Sequence, residues 1–140
     1  MPSSKSHNIE QPSIRVVSGV PRGEISPIRH TFATKTDVLT PMRDGVNLAM
    51  NLMTPEGEGP FPVILERTPY DKSMLRSAAT ENYACRGYVV AMQDCRGRFN
   101  SDGDFNAYHQ EHNDGFDTVE WLAQQSWCDG NVGMIGGSYT

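Results

Sequence analysis

The sequence that decides the fold is Asn131-Val-Gly-Met-Ile-Gly-Gly-Ser-Tyr-Thr140, at the carboxyl end of the chain. Its apolar run at 132–135 has the length of a buried strand, and Gly-Gly-Ser-Tyr follows at once. A strand that runs into Gly-x-Ser-x indicates a nucleophile elbow, a tight turn that presents a catalytic serine. The spacing makes Ser138 the candidate nucleophile, and a side chain at Gly136 would crowd its strained backbone.

The elbow pattern is incomplete, because the full motif has glycine two residues after the serine and this chain has Thr140 there. Gly-x-Ser-x also closes strands in ordinary glycine-rich turns. On these residues alone the two interpretations are equal, and the rest of the chain has to decide between them.

Length and composition are those of an ordinary globular protein. The 140 residues predict one domain with a hydrophobic core. The formal net charge of −5, without any basic run, argues against nucleic acid and against an anionic membrane as partners. No apolar run approaches the ~20 residues that span a bilayer, and the polar first residues lack the apolar segment of a secretory signal.

The three cysteines, Cys85, Cys95 and Cys128, are odd in number and widely spaced. They form neither a disulfide framework nor a Cys-x-x-Cys metal site. We therefore expect reduced cysteines in a cytoplasmic protein.

Residues 1–30 are predicted to be a polar leader, extended or disordered, and residues 31–140 to be the folded portion. The leader is rich in proline and glycine and shows no periodic pattern of apolar residues. Only residues 14–17 have the composition of a short strand.

Two strand patterns follow the leader, at 36–40 and 46–53. The second alternates apolar and polar side chains, which is typical of a half-buried strand. Asp44-Gly45 lies between them and favours a hairpin turn, because such turns need positive φ. We expect an antiparallel hairpin and then a loop at 55–60.

From Phe61 onward the pattern is strand, helix, strand, helix, strand. The strands are predicted at 61–66, 88–92 and 132–135, and the helices at 74–86, capped by Ser73, and at 113–125, with Phe116, Val119, Leu122 and Ala123 on its apolar face. The run at 88–92 is continuously apolar, which suits a strand buried on both faces. This order is that of a parallel sheet with right-handed crossovers, so the fold class is α/β.

In such a sheet the active site lies beyond the carboxyl ends of the strands. Three polar loops are predicted there, and they carry Tyr70, residues 94–104 and Ser138. This agreement favours the catalytic interpretation of Ser138. In the middle loop, Asp94 and Arg96 are expected to form an ion pair that fixes the loop, with substrate contact as the alternative.

Six segments together resemble one group of α/β-hydrolases, which contains X-Pro dipeptidyl-peptidases, cocaine esterase and α-amino-acid ester hydrolases. The segments are Met42-Arg-Asp-Gly-Val46, Arg67-Thr-Pro-Tyr-Asp-Lys72, Gly87-Tyr-Val-Val90, Gln93-Asp-Cys-Arg-Gly97 with Ser101-Asp-Gly103, Trp127-Cys-Asp-Gly-Asn-Val-Gly133 and Gly136-Gly-Ser-Tyr139. Their order and spacing carry the resemblance, which covers nearly everything after the leader. It implies the N-terminal part of an α/β-hydrolase sheet, with an antiparallel hairpin first and then a parallel βαβαβ unit, incomplete at its carboxyl end.

The resemblance also implies the roles of three residues. Ser138 would be the acylating nucleophile, the backbone N–H of Tyr139 one oxyanion donor, and the hydroxyl of Tyr70 the other. A phenol suits this role because it titrates near about pH 10 and is a neutral donor at pH 7. From the loop alone, a surface tyrosine beside Pro69 is the better interpretation; the resemblance favours the donor. The implied substrate is a small ester, amide or peptide, and no cofactor or metal is implied.

A serine nucleophile needs a histidine to take its proton and an acid to orient that histidine. In this fold both follow the serine, the acid first. The histidines His7, His30, His109 and His112 all precede Ser138. We therefore expect the acid and the histidine beyond residue 140, where the resemblance also implies a helical insertion and a jelly-roll domain. The alternative is a truncated, catalytically silent chain.

Two patterns that suggest a metal site do not meet the requirements of one. His109 and His112 are three residues apart without a third ligand, so a solvated turn is the preferred interpretation. A partial calcium-loop pattern fails because Phe105 stands where that loop needs glycine. Trp121 and Trp127 are expected to pack in the core.

Overall fold

The computed structural model describes residues 25–139, which form a five-stranded sheet with helices on both faces. The elements are β1 (Phe32–Pro41), β2 (Asn47–Pro55), β3 (Phe61–Thr68), a 3-10 turn (Lys72–Leu75), α1 (Ala78–Cys85), β4 (Val89–Asp94), α2 (Glu111–Ala123) and β5 (Cys128–Met134). The strand order is β1-β2-β4-β3-β5. β2 is antiparallel to β1 and β4, whereas β3 is parallel to β4 and β5.

The α/β class, with a hairpin followed by a parallel βαβαβ unit, is thereby confirmed. The strand pattern at 14–17 lies outside the described residues, and the boundary at residue 30 stays a prediction. Arg29 and His30 already contact the fold, because both backbone N–H groups donate to the carbonyl of Cys85, at 2.9 and 3.1 Å. Within residues 25–139, no helix is long and apolar enough to cross a membrane.

The turn between β1 and β2 shows why Gly45 stands there. The carbonyl of Met42 accepts the N–H of Gly45 at 2.9 Å, and the N–H of Met42 donates to the carbonyl of Val46 at 2.8 Å. Gly45 has a φ of +85°, in the left-handed region that glycine adopts without steric cost. A tight turn followed by a left-handed glycine matches the twist of the two strands.

The prediction that β2 is half-buried was wrong, because helices cover both faces of the sheet at this strand. On one face Met50 and Leu52 pack in a cluster with Leu122 of α2. On the other face Met53 packs with Ala84 of α1. All six residues of β4 are buried, as its continuous apolar run predicted.

The first helix begins later than expected. Ser73 lies in the 3-10 turn, and Arg76 is extended, with φ −67° and ψ 119°. The cap of α1 is instead Ser77, whose hydroxyl accepts the N–H of Thr80 at 3.3 Å, while the Thr80 hydroxyl accepts the N–H of Ser77 at 2.8 Å. This reciprocal capping box satisfies two helix-end donors, so the helix starts at Ala78.

The second helix also buries a different face from the one predicted. Its buried residues are Asp114, Thr118 and Leu122. Phe116, expected in the core, is 60% exposed. Residues packed against the α2 side of the core include Val119, Trp121 and Trp127, as expected. Two polar residues lie on the buried face because each finds a polar partner on the sheet side, as described below.

Candidate active site

Ser138 lies in a turn after β5 and has an unusual backbone conformation. Its φ is +65°, in the left-handed region that non-glycine residues rarely adopt. Such strain concentrates at functional sites. The N–H of Ile135 donates to the carbonyl of Leu65 at 3.0 Å, so pairing with β3 extends to just before the turn. The side chain of Ser138 is exposed.

The strand before this turn is less buried than its apolar run predicted. Met134 is 52% exposed and Ile135 is 37% exposed. The reason is position, because within the described residues β5 is the outermost strand and pairs with β3 alone.

The structure brings the Tyr70 side chain to Ser138 although the two residues are 68 positions apart. The Tyr70 Oη lies 3.5 Å from the Ser138 Oγ, and Tyr70 is 56% exposed. A normal O–H···O bond is about 2.7–2.8 Å long. The Tyr70 hydroxyl is therefore close to the Ser138 hydroxyl but does not form a short hydrogen bond with it. It remains able to donate to a third group bound beside both residues.

Tyr139 is fixed through its side chain. Its hydroxyl donates to the Glu111 Oε1 at 3.1 Å and accepts the N–H of Tyr108 at 2.7 Å. Its ring stacks on that of Tyr108, with 4.4 Å between centroids. Burial raises the pKa of the Tyr139 phenol, and the neighbouring Glu111 carboxylate adds to this rise. The phenol therefore stays a neutral donor at pH 7.

Under these residues lies a polar network that sequence reasoning missed. Arg67 was predicted in a polar loop, but it belongs to β3 and is only 4% exposed. Its Nη1 donates to the Glu111 Oε2 at 2.7 Å, and its Nε donates to the Gln93 Oε1 at 2.8 Å. The Thr118 hydroxyl donates to the same Gln93 oxygen at 3.1 Å. The available signal was that no turn residue interrupts the run from Val63 to Thr68, directly before Pro69.

The buried Cys95 thiol is the other nucleophilic group nearby. Its Sγ lies 3.7 Å from the Glu111 Oε2. Burial raises the pKa of Cys95 to about 12, although the positive charge of Arg67 opposes this rise. Because the thiolate is the reactive form, this thiol is unreactive at neutral pH.

Asp94 is ion-paired, but its partner is not Arg96. The Lys72 Nζ lies 2.8 Å from the Asp94 Oδ2 and 2.9 Å from the Asp37 Oδ1. Lys72 is buried, although it was predicted in a polar loop. Burial works against its charged form, but the hydrogen bonds to Asp94 and Asp37 outweigh burial and raise the pKa of Lys72. The ammonium group is therefore charged and holds the loop that follows β3.

Arg96 joins the hairpin turn to α2. Its Nη2 lies 2.6 Å from the Asp114 Oδ1, and its Nη1 lies 2.7 Å from the Asp44 Oδ2. The hydrogen bonds from Asp114 and then Asp44 raise the pKa of Arg96. The expected ion pair between Asp94 and Arg96 is thus wrong in its pairing, although both residues fix the loop that follows β4.

A cavity of about 550 Å³ opens beside Ser138. Its apolar wall includes Phe116, Val119 and Met134, and His112 also borders it. Among residues 25–139, no imidazole is hydrogen-bonded to Ser138. The same residues contain no group of three or more metal-binding side chains that could hold an ion.

Comparison with known proteins identifies the family. A sequence model of the X-Pro dipeptidyl-peptidases (S15 family) matches residues 44–140. The chain belongs to the S15 family. This S15 chain is 43% identical to cocaine esterase from Rhodococcus sp. (strain MB1 Bresler) over 113 residues, which cover 77% of this chain and 20% of that protein. The resemblance expected from the six segments is confirmed.

Solved structures agree with the fold of this S15 chain. An α-amino acid ester hydrolase superposes with a TM-score of 0.69 at 30% identity, covering 93% of this chain and 25% of that one. An aminopeptidase from a marine sediment Thaumarchaeota archaeon superposes with a TM-score of 0.66 at 27% identity, covering 87% and 24%. The chain spans about a fifth of the length of the curated relatives it matches.

Proposed function

We propose that the protein is a serine hydrolase that cleaves a small ester, amide or peptide through an acyl-enzyme on Ser138. The observation that carries this proposal is the 3.5 Å separation of the Tyr70 and Ser138 hydroxyl oxygens. The left-handed backbone of Ser138 supports it, because a nucleophile elbow strains its serine in this way. Hydrolysis by an esterase or peptidase mechanism is also the chemistry that the names of the relatives describe.

In the proposed reaction the Ser138 Oγ attacks the substrate carbonyl carbon, and the carbonyl oxygen becomes an oxyanion. The backbone N–H of Tyr139 and the hydroxyl of Tyr70 donate to that oxygen. Loss of a single oxyanion donor from a serine hydrolase costs about 10²–10³ in kcat. The leaving alcohol or amine then departs with a proton, and water hydrolyses the acyl-enzyme.

The proposal does not take the general base from residues 25–139. Ser138 has no imidazole partner within the described part of the chain, and in α/β-hydrolases the acid and the histidine follow the nucleophile in chain order. His112 borders the same cavity but forms no hydrogen bond with Ser138. We therefore assign the proton transfer to a histidine beyond residue 140.

A fluorophosphonate probe tests the proposed nucleophile in the full-length protein. We expect the wild type to be labelled and Ser138→Ala to lose the label, because the probe forms a covalent bond only with an activated serine. Ser126→Ala is the matched control, since Ser126 is an exposed serine in the connection between α2 and β5, and it should keep the label. Label that persists in Ser138→Ala would exclude Ser138 as the nucleophile.

The second candidate is a catalytically silent chain of 140 residues. It is favoured by the outermost position of β5 in the described sheet, which leaves Ser138 at an exposed strand end without a hydrogen-bonded imidazole among residues 25–139. A serine hydrolase without its triad retains only about 10³–10⁴-fold acceleration over water. Turnover of p-nitrophenyl acetate by the 140-residue chain at rates typical of an enzyme would exclude this candidate.

A further inference from the structure

The Tyr70 hydroxyl is positioned by the backbone around it. Apart from the 3.5 Å contact with Ser138, the hydroxyl of Tyr70 has no hydrogen-bond partner among residues 25–139. The backbone N–H of Tyr70 donates to the Thr68 hydroxyl at 3.1 Å. Because the ring is 56% exposed, packing alone does not hold it. Whatever fixes the loop at 69–72 therefore fixes the proposed oxyanion donor.

The last residue of β4 and the loop that follows it hold this segment on both sides of Tyr70. On the upstream side, the Arg98 Nε donates to the carbonyl of Pro69 at 3.0 Å, and this peptide unit directly precedes Tyr70. On the downstream side, the Asp94 Oδ1 accepts the backbone N–H of Lys72 at 2.7 Å. The ammonium group of Lys72 is bound to the same carboxylate at 2.8 Å. Upstream of Tyr70 the contact is thus a single hydrogen bond from Arg98, and downstream it is the buried ion pair of Lys72 and Asp94.

Arg98 is itself held in place by aromatic rings. Its guanidinium carbon lies 5.2 Å from the ring centroid of Phe99 and 5.3 Å from that of Phe105. A cation over an aromatic face is attracted by the ring quadrupole. Among the described residues Arg98 forms no ion pair with a carboxylate. Its Nε bond to Pro69 is therefore the polar contact that defines its role.

We propose that Arg98 is a positioning residue, which places the Tyr70 hydroxyl at the oxyanion through its hydrogen bond to the Pro69 carbonyl. This inference rests on the proposed function of Tyr70 and extends it to a residue that does not touch the substrate. Displacing a catalytic group by about 1 Å can cost up to about 100-fold in rate. A loosened donor should cost less than a deleted one, so we expect a loss of about 10-fold in kcat.

A double-mutant cycle in the full-length protein, with p-nitrophenyl acetate as substrate, tests this role. Arg98→Met should lower kcat about 10-fold and leave KM nearly unchanged, and Arg98→Gln should restore part of the rate because its Nε2 amide keeps an N–H donor where the Arg98 Nε stands. In a Tyr70→Phe background, Arg98→Met should change kcat by less than about 2-fold, because the group that Arg98 positions is gone. Arg86→Met is the control, since among the described residues the Arg86 Nε bonds to Asn82 on α1 and not to the Tyr70 loop, and it should keep the wild-type rate.

A second readout does not depend on activity. Fluorine NMR of 3-fluorotyrosine at position 70 should show a shifted or broadened signal in Arg98→Met and an unchanged signal in Arg86→Met. An unchanged signal in Arg98→Met, or equal kcat losses in both Tyr70 backgrounds, would overturn the positioning role. Wild-type kcat in Tyr70→Phe would instead overturn the proposed catalytic function of Tyr70, and the fluorine signal would still decide whether Arg98 fixes the ring.

Discussion

Three individual residues in the segments around the candidate site have left-handed backbone conformations. Ser138, Tyr108 and Phe99 are non-glycine residues with φ values of +65°, +66° and +47°. Each such conformation costs on the order of 1–3 kcal/mol and persists only where neighbouring contacts enforce it. Here the contacts are visible, because Tyr108 stacks on Tyr139 and Phe99 lies against Arg98.

Gly97, in the loop between β4 and α2, has no space for a side chain. Gly97 has a φ of +66°, and a Cβ placed there would lie 2.3 Å from the backbone nitrogen of Phe105. Gly97→Ala should therefore lower the free energy of unfolding by about 2–4 kcal/mol, from the left-handed conformation and the clash together. Urea unfolding of the 140-residue chain, followed by tryptophan fluorescence, measures this change.

Gly130→Ala is the matched control for that measurement. Gly130 has a φ of +90° but nothing within 4 Å of an added Cβ, so its replacement should cost only the about 1–2 kcal/mol of the left-handed conformation. Equal losses in the two variants would show that the Gly97 loop moves aside at no cost.

At this scale the sequence predicted the residues with recognisable chemistry and missed those that support them. Tyr70 and Ser138 were proposed as neighbours from motif resemblance, and they lie 3.5 Å apart. Arg67 and Arg98 were not singled out, because their importance depends on partners far along the chain. Arg67 is buried where Gln93 accepts a hydrogen bond from its Nε and Glu111 accepts one from its Nη1. No local pattern encodes such pairings.

Elements in this fold are joined by charged side chains as well as by the apolar core. Arg96, after β4, binds Asp114 of α2 and Asp44 of the hairpin turn. The hydrogen bonds from Arg96 hold the pKa of Asp44 below its ordinary value, and its bond to the N–H of Val46 adds to this effect. The carboxylate therefore favours the folded state only while it is ionised.

This linkage predicts how stability depends on pH. A depressed folded-state pKa gives a contribution that is present above the unfolded pKa of about 3.9 and is lost as the pH falls through the folded value. The melting temperature of Asp44→Asn should therefore fall less than that of the wild type between about pH 5 and pH 2.5. Asp104 forms no ion pair within the described residues, and Asp104→Asn should keep the wild-type slope. A wild-type slope in Asp44→Asn would refute the linkage.

The elements themselves were predictable where local chemistry decides and not where neighbours decide. The β4 run and the Gly45 turn follow from composition and from φ, and both occur as expected. The start of α1 was missed because Ser73 and Ser77 are both acceptable caps. Only the reciprocal bonds with Thr80 select Ser77. The burial of β2 was missed because alternation cannot show that a second helix covers its other face.

On the scale of the whole molecule, the two edges of the described sheet differ in their protection. The edge at β1 carries Lys35, an irregularity between Lys35 and Val38, and Pro41 at its end. Charges, bulges and prolines are the features by which edge strands avoid pairing with other chains. The edge at β5 ends in the uncharged run 132–135, where Met134 is 52% exposed. The β5 edge is therefore the surface through which the 140-residue chain should associate with itself.

Met134→Lys tests this edge directly, because a lysine on an exposed strand opposes edge-to-edge pairing. We expect the wild-type 140-residue chain to form oligomers at about micromolar to millimolar concentration and Met134→Lys to raise the monomer fraction, both measured by sedimentation velocity. Met74→Lys makes the same chemical change at a residue that is 75% exposed but lies in the 3-10 turn, away from the edge, so it should leave the oligomers in place. If both lysine variants dissolve the oligomers equally, net charge is the cause and the β5 edge is not. If only Met134→Lys does so, β5, the strand that leads into Ser138, is the edge through which the chain associates with itself.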